Sequence, residues 1–224
     1  MKRLQDWIDL FLKHKNRAVY LDIETTHFDG DVATVALYRC SEFGEQQKCL
    51  VRDKDLNVTT LCAALHETEL LVTFNGLRFD IPRINTEWPG AISKDLRVLD
   101  LYQFACELGV GTKLKILEQT FGIQRSGHER PTRSTHEMWA EYKNEGNLNA
   151  LEHLMAYNLA DARNLLQLAE TLVKWARWRI YGEYQLIVEA LGDPRPNLDI
   201  KSNSTSHVLK AIEESICIQR RKEA

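Results

Sequence analysis

The chain of 224 residues has a hydrophobic fraction of 44% and a charged fraction of 27%, values typical of a globular protein with one substantial core. Its net charge of −3 excludes the attraction of a polyanion through bulk positive charge, so any such partner would need a local basic patch or bound metal.

The cysteines and the hydropathy pattern exclude further classes. Five widely spaced cysteines form no CxxC or Cys/His cluster, which argues against a structural zinc site, and their odd number argues against a closed disulfide framework. Asp6 and Asp9 interrupt the segment where a signal peptide needs an apolar stretch, and no run approaches the roughly 18 apolar residues of a membrane span. We therefore expect a cytoplasmic protein with no membrane partner.

The first half of the chain alternates strand and helix patterns. Apolar residues at helical spacing predict an amphipathic helix over 2–14, and β-rich runs predict three strands over 18–24, 32–40 and 47–53. Gly44 suits a hairpin between the second and third strands, so these three strands should pair antiparallel. The following elements are predicted as a helix at about 55–67, a strand at 69–75, a helix at 79–87 and a strand at 97–101.

Helical patterns dominate the remainder, with helices predicted at 101–108, 112–121, 135–145 and about 147–177. The segment GDPRPN, residues 192–197, is the one clear break. We expect residues 1–191 to form one domain that includes the N-terminal helix, and residues 192–224 to form a proline-containing connection and a C-terminal helix packed on that domain.

Four carboxylates in three short segments are the candidate site. Asp22 and Glu24 are two apart on a predicted strand, so both side chains leave the same face. The neighbouring Val19, Leu21 and Ile23 suggest that the other face is core. A strand with one solvated face is the alternative interpretation.

The second segment, NGLRFD, ends with Asp80 where an apolar strand runs into a helix. Asp80 is then either the residue that caps a helix beginning near Ile81, or a group that points into the cleft at the end of the strand, and both can hold. In the third segment, Tyr157 and Asp161 are four residues apart on a helix and share a face.

These acids predict a metal site. Four carboxylates cannot share a low-dielectric pocket without cations, because their charges repel strongly. Oxygen ligands suit Mg²⁺ or Mn²⁺, and we expect two such divalent cations. The chemistry that two such ions serve best is the attack of water on a phosphodiester.

The motifs DIETT, NGxxFD and YNxxD, in this order, resemble those of the DEDD 3′–5′ exonucleases, and the tyrosine marks the DEDDy branch. The segments FNGLRFDIPRI, VLDLYQFA, KLKILEQTFGI and YNLADARNLLQL are similar to those of the YprB-like group of ribonuclease-H-like exonucleases. The resemblance covers roughly residues 18–172. It implies an α/β ribonuclease-H-like fold with a mixed five-stranded sheet flanked by helices.

The resemblance also implies roles for the site residues. Asp22, Glu24 and Asp161 would hold one metal ion, and Asp22 and Asp80 the second. Tyr157 would orient the attacking water.

Other residues are candidates for substrate binding. Asn75 would contact the terminal nucleotide or order the loop before Asp80, and Thr25 is a further candidate. Arg125, Arg130 and Arg133 lie in one predicted loop and are candidates for phosphate contacts. A solvated loop is the equally open alternative.

The sequence thus predicts a metal-dependent 3′–5′ exonuclease that acts on the 3′ end of single-stranded DNA or RNA and needs no nucleotide cofactor. A structure-selective endonuclease of the same fold and a catalytically silent nucleic-acid-binding module are the alternatives.

Overall fold

The structure is a computed structural model that describes residues 2–41, 44–130 and 133–181. The described chain divides into two compact units. The first, here called the sheet unit, comprises His14–Asp100 and Arg125–Leu166. The second, the helical unit, comprises 101–124 and the described parts of 1–13 and 167–224. The predicted break at 192–197 and the predicted C-terminal helix lie outside the described residues.

Five strands form one mixed sheet in the sheet unit. Their order is β3-β2-β1-β4-β5. Strands β1, β2 and β3 pair antiparallel, whereas β4 pairs parallel with both β1 and β5. This arrangement confirms the predicted sheet and its antiparallel first three strands. The strands are β1 Ala18–Thr25, β2 Val32–Ser41, β3 Gly44–Val51, β4 Leu70–Thr73 and β5 Arg97–Asp100.

Seven α-helices in the described residues follow the predicted order. They are α1 Lys2–His14, α2 Val58–Ala64, α3 Asp80–Glu87, α4 Leu101–Glu107, α5 Leu114–Thr120, α6 Thr135–Glu145 and α7 Leu148–Tyr181, with short 3₁₀ turns at Lys15–Arg17 and Gly127–Glu129.

Two boundaries differ from the predictions for local reasons. Strand β3 ends at Val51, and Asp53 adopts a left-handed backbone with φ of 63°, which ends extended pairing. Helix α2 begins later than predicted because the Asn57 side chain accepts a hydrogen bond from Thr60 N at 3.0 Å and the Thr60 hydroxyl accepts one from Asn57 N at 3.2 Å. This capping box sets the first turn of the helix.

Two apolar clusters form the core of the sheet unit. One contains side chains from β1, β2 and β4 together with Leu61 and Ile84 of α2 and α3. In the other, Trp139 of α6 and Leu154 of α7 pack with Val51 of β3. Helices α6 and α7 are therefore fixed against strands of the sheet, which places one face of α7 close to β1 and β2.

The helical unit is held by aromatic and ionic contacts of its own. Trp7 stacks on Phe104 with ring centroids 6.1 Å apart, and Arg3 pairs with Glu107 at 2.9 Å. Phe121 meets the edge of Trp175 at a centroid distance of 5.8 Å. None of the helices in the described ranges is long and apolar enough to cross a membrane.

Candidate metal centre

Strand β1 separates its apolar and acidic side chains between two faces. Val19, Leu21 and Ile23 are buried in the core of the sheet unit. Asp22 and Glu24 alternate with them and are half-buried. The period of two along the strand therefore directs both carboxylates away from this core, as predicted.

Helix α7 brings a third carboxylate to this face. One oxygen atom from each of Asp22, Glu24 and Asp161 lies within 4.8 Å of the other two. The three donors are all carboxylate oxygens, the ligand type that Mg²⁺ and Mn²⁺ prefer. The donor set thus fits the predicted divalent cation.

Asp80 lies outside that group of three, at the start of α3. It is the first residue of the helix, which agrees with the predicted start near Ile81, but the N-cap is Phe79, so the interpretation of Asp80 as the capping residue is wrong. Its carboxylate accepts a hydrogen bond from Ile23 N at 3.2 Å, which ties α3 to the strand that carries Asp22 and Glu24. Burial, reinforced by the negative charges of Asp100 and Asp161, raises the pKa of Asp80 to about 7.

Asp100 holds the turn that precedes Asp80. This fully buried residue ends β5 and accepts hydrogen bonds from Asn75 N at 2.9 Å and Leu77 N at 3.2 Å. Asn75 has a left-handed φ of 62°, and a Cβ at Gly76 would lie 2.5 Å from the Thr73 side chain. The turn therefore needs glycine at Gly76. Asp100 is not among the residues predicted from the sequence, although its position at the carboxyl end of a parallel strand beside β4 is a usable signal.

Arg125 reaches the carboxylates from the loop between α5 and α6. Its guanidinium forms an ion pair with Asp161, and the two side chains are only 8% and 7% exposed. It also lies 5.4 Å from the centroid of the Tyr157 ring. Burial, followed by the charges of Asp161 and Glu24, raises the pKa of Tyr157 far above its ordinary value. The phenol therefore keeps its proton at neutral pH.

A second ion pair anchors this loop to α7. Glu129 accepts hydrogen bonds from the Arg163 guanidinium at 2.8 and 3.1 Å and from Ser126 N at 2.9 Å. Its backbone oxygen accepts a hydrogen bond from Arg125 Nη1 at 3.2 Å. Because Arg163 is two residues after Asp161 on the same helix, the Glu129–Arg163 ion pair holds the loop beside Asp161. Arg125 is thereby positioned next to that carboxylate.

The other predicted substrate contacts have different surroundings. Arg130 donates through Nε to the backbone oxygen of Arg125 at 3.0 Å, and Arg133 pairs with Glu141 at 2.7 Å. Thr25 is buried, with its hydroxyl 3.5 Å from His136 Nε2. Of the three predicted loop arginines, Arg125 is thus the one that the structure brings to Asp161.

Asn158 is a further residue of the site for which the sequence predicts no role. It is fully buried on α7, and its Nδ2 donates a hydrogen bond to Asp22 Oδ2 at 2.7 Å. An asparagine in the interior of a helix, between Tyr157 and Leu159, is intrinsically unfavourable. A polar residue at such a position therefore predicts a buried hydrogen-bonding partner.

Comparison with known proteins gives one match. A family model described as RNase_H superfamily matches residues 19–173, which is more than half of the chain. No curated protein and no solved structure matches the chain. The matched range contains the four carboxylates, Tyr157 and Asn158.

The three carboxylates are of the kind that the matched family needs for its reaction. RNase H-like nucleases hydrolyse phosphodiester bonds with divalent metal ions, and the group formed by Asp22, Glu24 and Asp161 is a possible site for such an ion. The five-stranded mixed sheet is consistent with the same fold. The chain therefore belongs to the RNase H superfamily.

Proposed function

We propose that this protein is a 3′–5′ exonuclease of the DEDDy type that hydrolyses phosphodiester bonds at the 3′ end of single-stranded DNA or RNA. The observation that carries the proposal is the grouping of Asp22, Glu24 and Asp161 within 4.8 Å, with Tyr157 one helical turn before Asp161. This combination matches the DEDDy motifs that the sequence resembles.

Two divalent cations, Mg²⁺ or Mn²⁺, are the cofactors. Asp22, Glu24 and Asp161 would hold one ion, and Asp22 and Asp80 the other. When bound, such ions supply Lewis-acid activation of water and neutralise charge that develops on the phosphate.

Tyr157 orients the attacking water rather than removing its proton. Since its pKa is raised by burial and by neighbouring carboxylates, the phenol is a poor base at neutral pH. It remains a hydrogen-bonding group at a fixed position on α7, and alignment of the nucleophile is a large part of what a hydrolase must supply.

Arg125 is our candidate for the first phosphate contact. Its guanidinium lies beside both Asp161 and Tyr157, and the planar fork of an arginine matches the geometry of phosphate oxygens. Asn75, Thr25, Arg130 and Arg133 remain candidates for contacts further along the strand.

The test uses 5′-labelled linear single-stranded oligonucleotides, in DNA and RNA versions, together with circular forms of the same sequences. Each is incubated with Mg²⁺, with Mn²⁺ or with EDTA, beside the Glu24→Gln variant as a matched inactive control. We expect a metal-dependent ladder that shortens from the 3′ end of the linear strand, and no cleavage of the circle.

The circular strand separates the competing activities. Cleavage of the circle would indicate an endonuclease and refute the exonuclease assignment. Binding of both strands without cleavage in either metal would indicate a nucleic-acid-binding module. Cleavage by Glu24→Gln at the wild-type rate would show that the group of Asp22, Glu24 and Asp161 takes no part in the reaction.

A further inference from the structure

Asn158 connects a metal ligand to the neighbouring strand. Its Nδ2 donates to Asp22 Oδ2 at 2.7 Å, and its Oδ1 accepts a hydrogen bond from the Thr34 hydroxyl at 2.8 Å. The Cys49 thiol lies 4.0 Å from the same Oδ1. The chain Thr34–Asn158–Asp22 therefore joins β2, α7 and β1 through one buried amide.

The sheet register explains why these groups meet. Thr34 of β2 lies opposite Glu24 of β1, and directly paired residues point their side chains to the same face. The Thr34 hydroxyl is thus on the face that carries Asp22 and Glu24. Asn158 and Asp161 are three residues apart on α7 and share the helix face that meets this side of the sheet.

The chemistry of the partners fixes the orientation of the amide. An ionised Asp22 can only accept hydrogen bonds, so the NH₂ group of Asn158 must face it. The oxygen of Asn158 then faces Thr34, whose hydroxyl acts as the donor. Both ends of the amide are satisfied, as a fully buried asparagine requires.

A neutral donor has a specific advantage beside a metal ligand. It fixes the rotamer of Asp22 through a hydrogen bond to Oδ2, while the carboxylate keeps the full negative charge that attracts a cation. A lysine or arginine at the same place would cancel the charge that the cation needs. Hydrogen-bonding partners of this kind commonly set the affinity of a metal site.

We infer that Asn158 is a positioning residue that holds Asp22 in the orientation needed to bind the divalent cation, with Thr34 fixing the Asn158 amide. The inference rests on the proposed function in taking Asp22 as a metal ligand. One turn of α7 thereby supplies the ligand Asp161 and sets the geometry of the ligand Asp22 on β1.

The test measures Mn²⁺ affinity by isothermal titration calorimetry, in the absence of any nucleic acid, for wild type, Asn158→Leu and Thr34→Val. The matched control is Asn85→Leu, because Asn85 also makes two amide hydrogen bonds, to the backbone of Ile92 at 2.9 and 3.0 Å. Melting temperature in EDTA is recorded for each protein.

We expect Asn158→Leu to raise the Mn²⁺ dissociation constant by about 10- to 100-fold. Thr34→Val, which is isosteric, should raise it by a smaller factor in the same direction. Asn85→Leu should lower the melting temperature and leave the dissociation constant unchanged. Because Thr34→Val changes little volume, it tests the hydrogen-bonded chain Thr34–Asn158–Asp22 even if Asn158→Leu does not fold.

An unchanged dissociation constant in both Asn158→Leu and Thr34→Val, or an equal rise in the Asn85→Leu control, would overturn the positioning role. A wild-type protein that binds Mn²⁺ but cleaves no oligonucleotide would instead refute the exonuclease proposal and leave the role of Asn158 intact. The two failures are therefore distinguishable.

Discussion

Replacing Arg125 by glutamine should change stability and metal affinity in opposite directions. In the metal-free protein the guanidinium is the cation that lies against Asp161, with both side chains less than 10% exposed. Arg125→Gln removes that positive charge and leaves the acidic group of Asp22, Glu24 and Asp161 without it. The variant should therefore be less stable in EDTA and bind divalent cations more tightly.

The sizes of the two effects follow from burial and from Coulomb's law. Breaking a buried ion pair by removing one partner costs about 3–5 kcal/mol, which for a chain of this size is a fall in melting temperature of at least about 6 °C. A guanidinium and a divalent ion about 5 Å apart repel by about 1.7 kcal/mol even at the dielectric constant of water. Removing this repulsion should tighten metal binding by about tenfold or more.

Activity should move in the opposite sense to metal affinity. If Arg125 contacts the scissile phosphate, its loss removes a charge-assisted hydrogen bond of about 1.5–3 kcal/mol, so kcat/KM should fall about 10- to 100-fold at saturating metal. For stability and metal affinity the matched control is Arg133→Gln, because Arg133 makes a more exposed pair with Glu141, and such pairs contribute about 0–1 kcal/mol.

The measurements are thermal melts in EDTA, Mn²⁺ titration calorimetry and exonuclease kinetics on the same three proteins. Unchanged or weaker Mn²⁺ binding by Arg125→Gln would refute the reasoning, because it would mean that the guanidinium supports the ligand geometry instead of competing with the cation. Equal effects from Arg133→Gln would assign the changes to the loop as a whole.

Three further predictions concern the residues around this pair. Tyr157→Phe should slow single-turnover cleavage by roughly 100-fold without changing Mn²⁺ affinity; an unchanged rate would remove the hydroxyl from the mechanism. Asp161→Ala should abolish turnover. From the sequence alone we expect Asp161→Ala to stabilise the metal-free protein by relieving repulsion between carboxylates. Because Arg125 is buried against Asp161, the structure predicts the opposite, a lower melting temperature. A thermal melt in EDTA distinguishes the two. The pKa of Asp80 is raised by folding, so its contribution to the stability of the metal-free protein is present below about pH 4 and is lost as the pH rises through about 7. Asp80→Asn should therefore reduce the difference in melting temperature between about pH 5 and about pH 8 in EDTA, and an unreduced difference would contradict the assignment.

The sequence was sufficient where a local period determines the side-chain direction. Alternation along β1 predicted that Asp22 and Glu24 lie opposite Val19, Leu21 and Ile23, and the core contacts agree. The antiparallel start of the sheet followed from strand patterns separated by short connections. These features depend on neighbours within a few residues, and single-sequence patterns contain that information.

The residues that escaped prediction depend on distant partners. Asn158 meets side chains 124 and 136 residues earlier in the chain, and no local pattern specifies those pairings. The sequence predicts Arg125 as a candidate for phosphate contacts, but not its approach to Asp161, which depends on the Glu129–Arg163 ion pair between residues 34 apart in the chain. Loop conformation of this kind is fixed by tertiary contacts and not by the period of the sequence.

If the site binds two divalent cations, as we propose, the charges of its residues predict the order in which the two ions bind. With Arg125 in place, the three carboxylates Asp22, Glu24 and Asp161 and the one guanidinium leave two negative charges, which one divalent ion neutralises. A second ion requires two more negative charges. On this proposal, they would become available when Asp80, whose pKa is raised to about 7, loses its proton and when Arg125 exchanges Asp161 for a substrate phosphate. The second ion should therefore bind more tightly at higher pH and in the presence of nucleic acid, because metal binding and proton release are linked. A stoichiometry of two Mn²⁺ ions below pH 6 without nucleic acid would contradict this account.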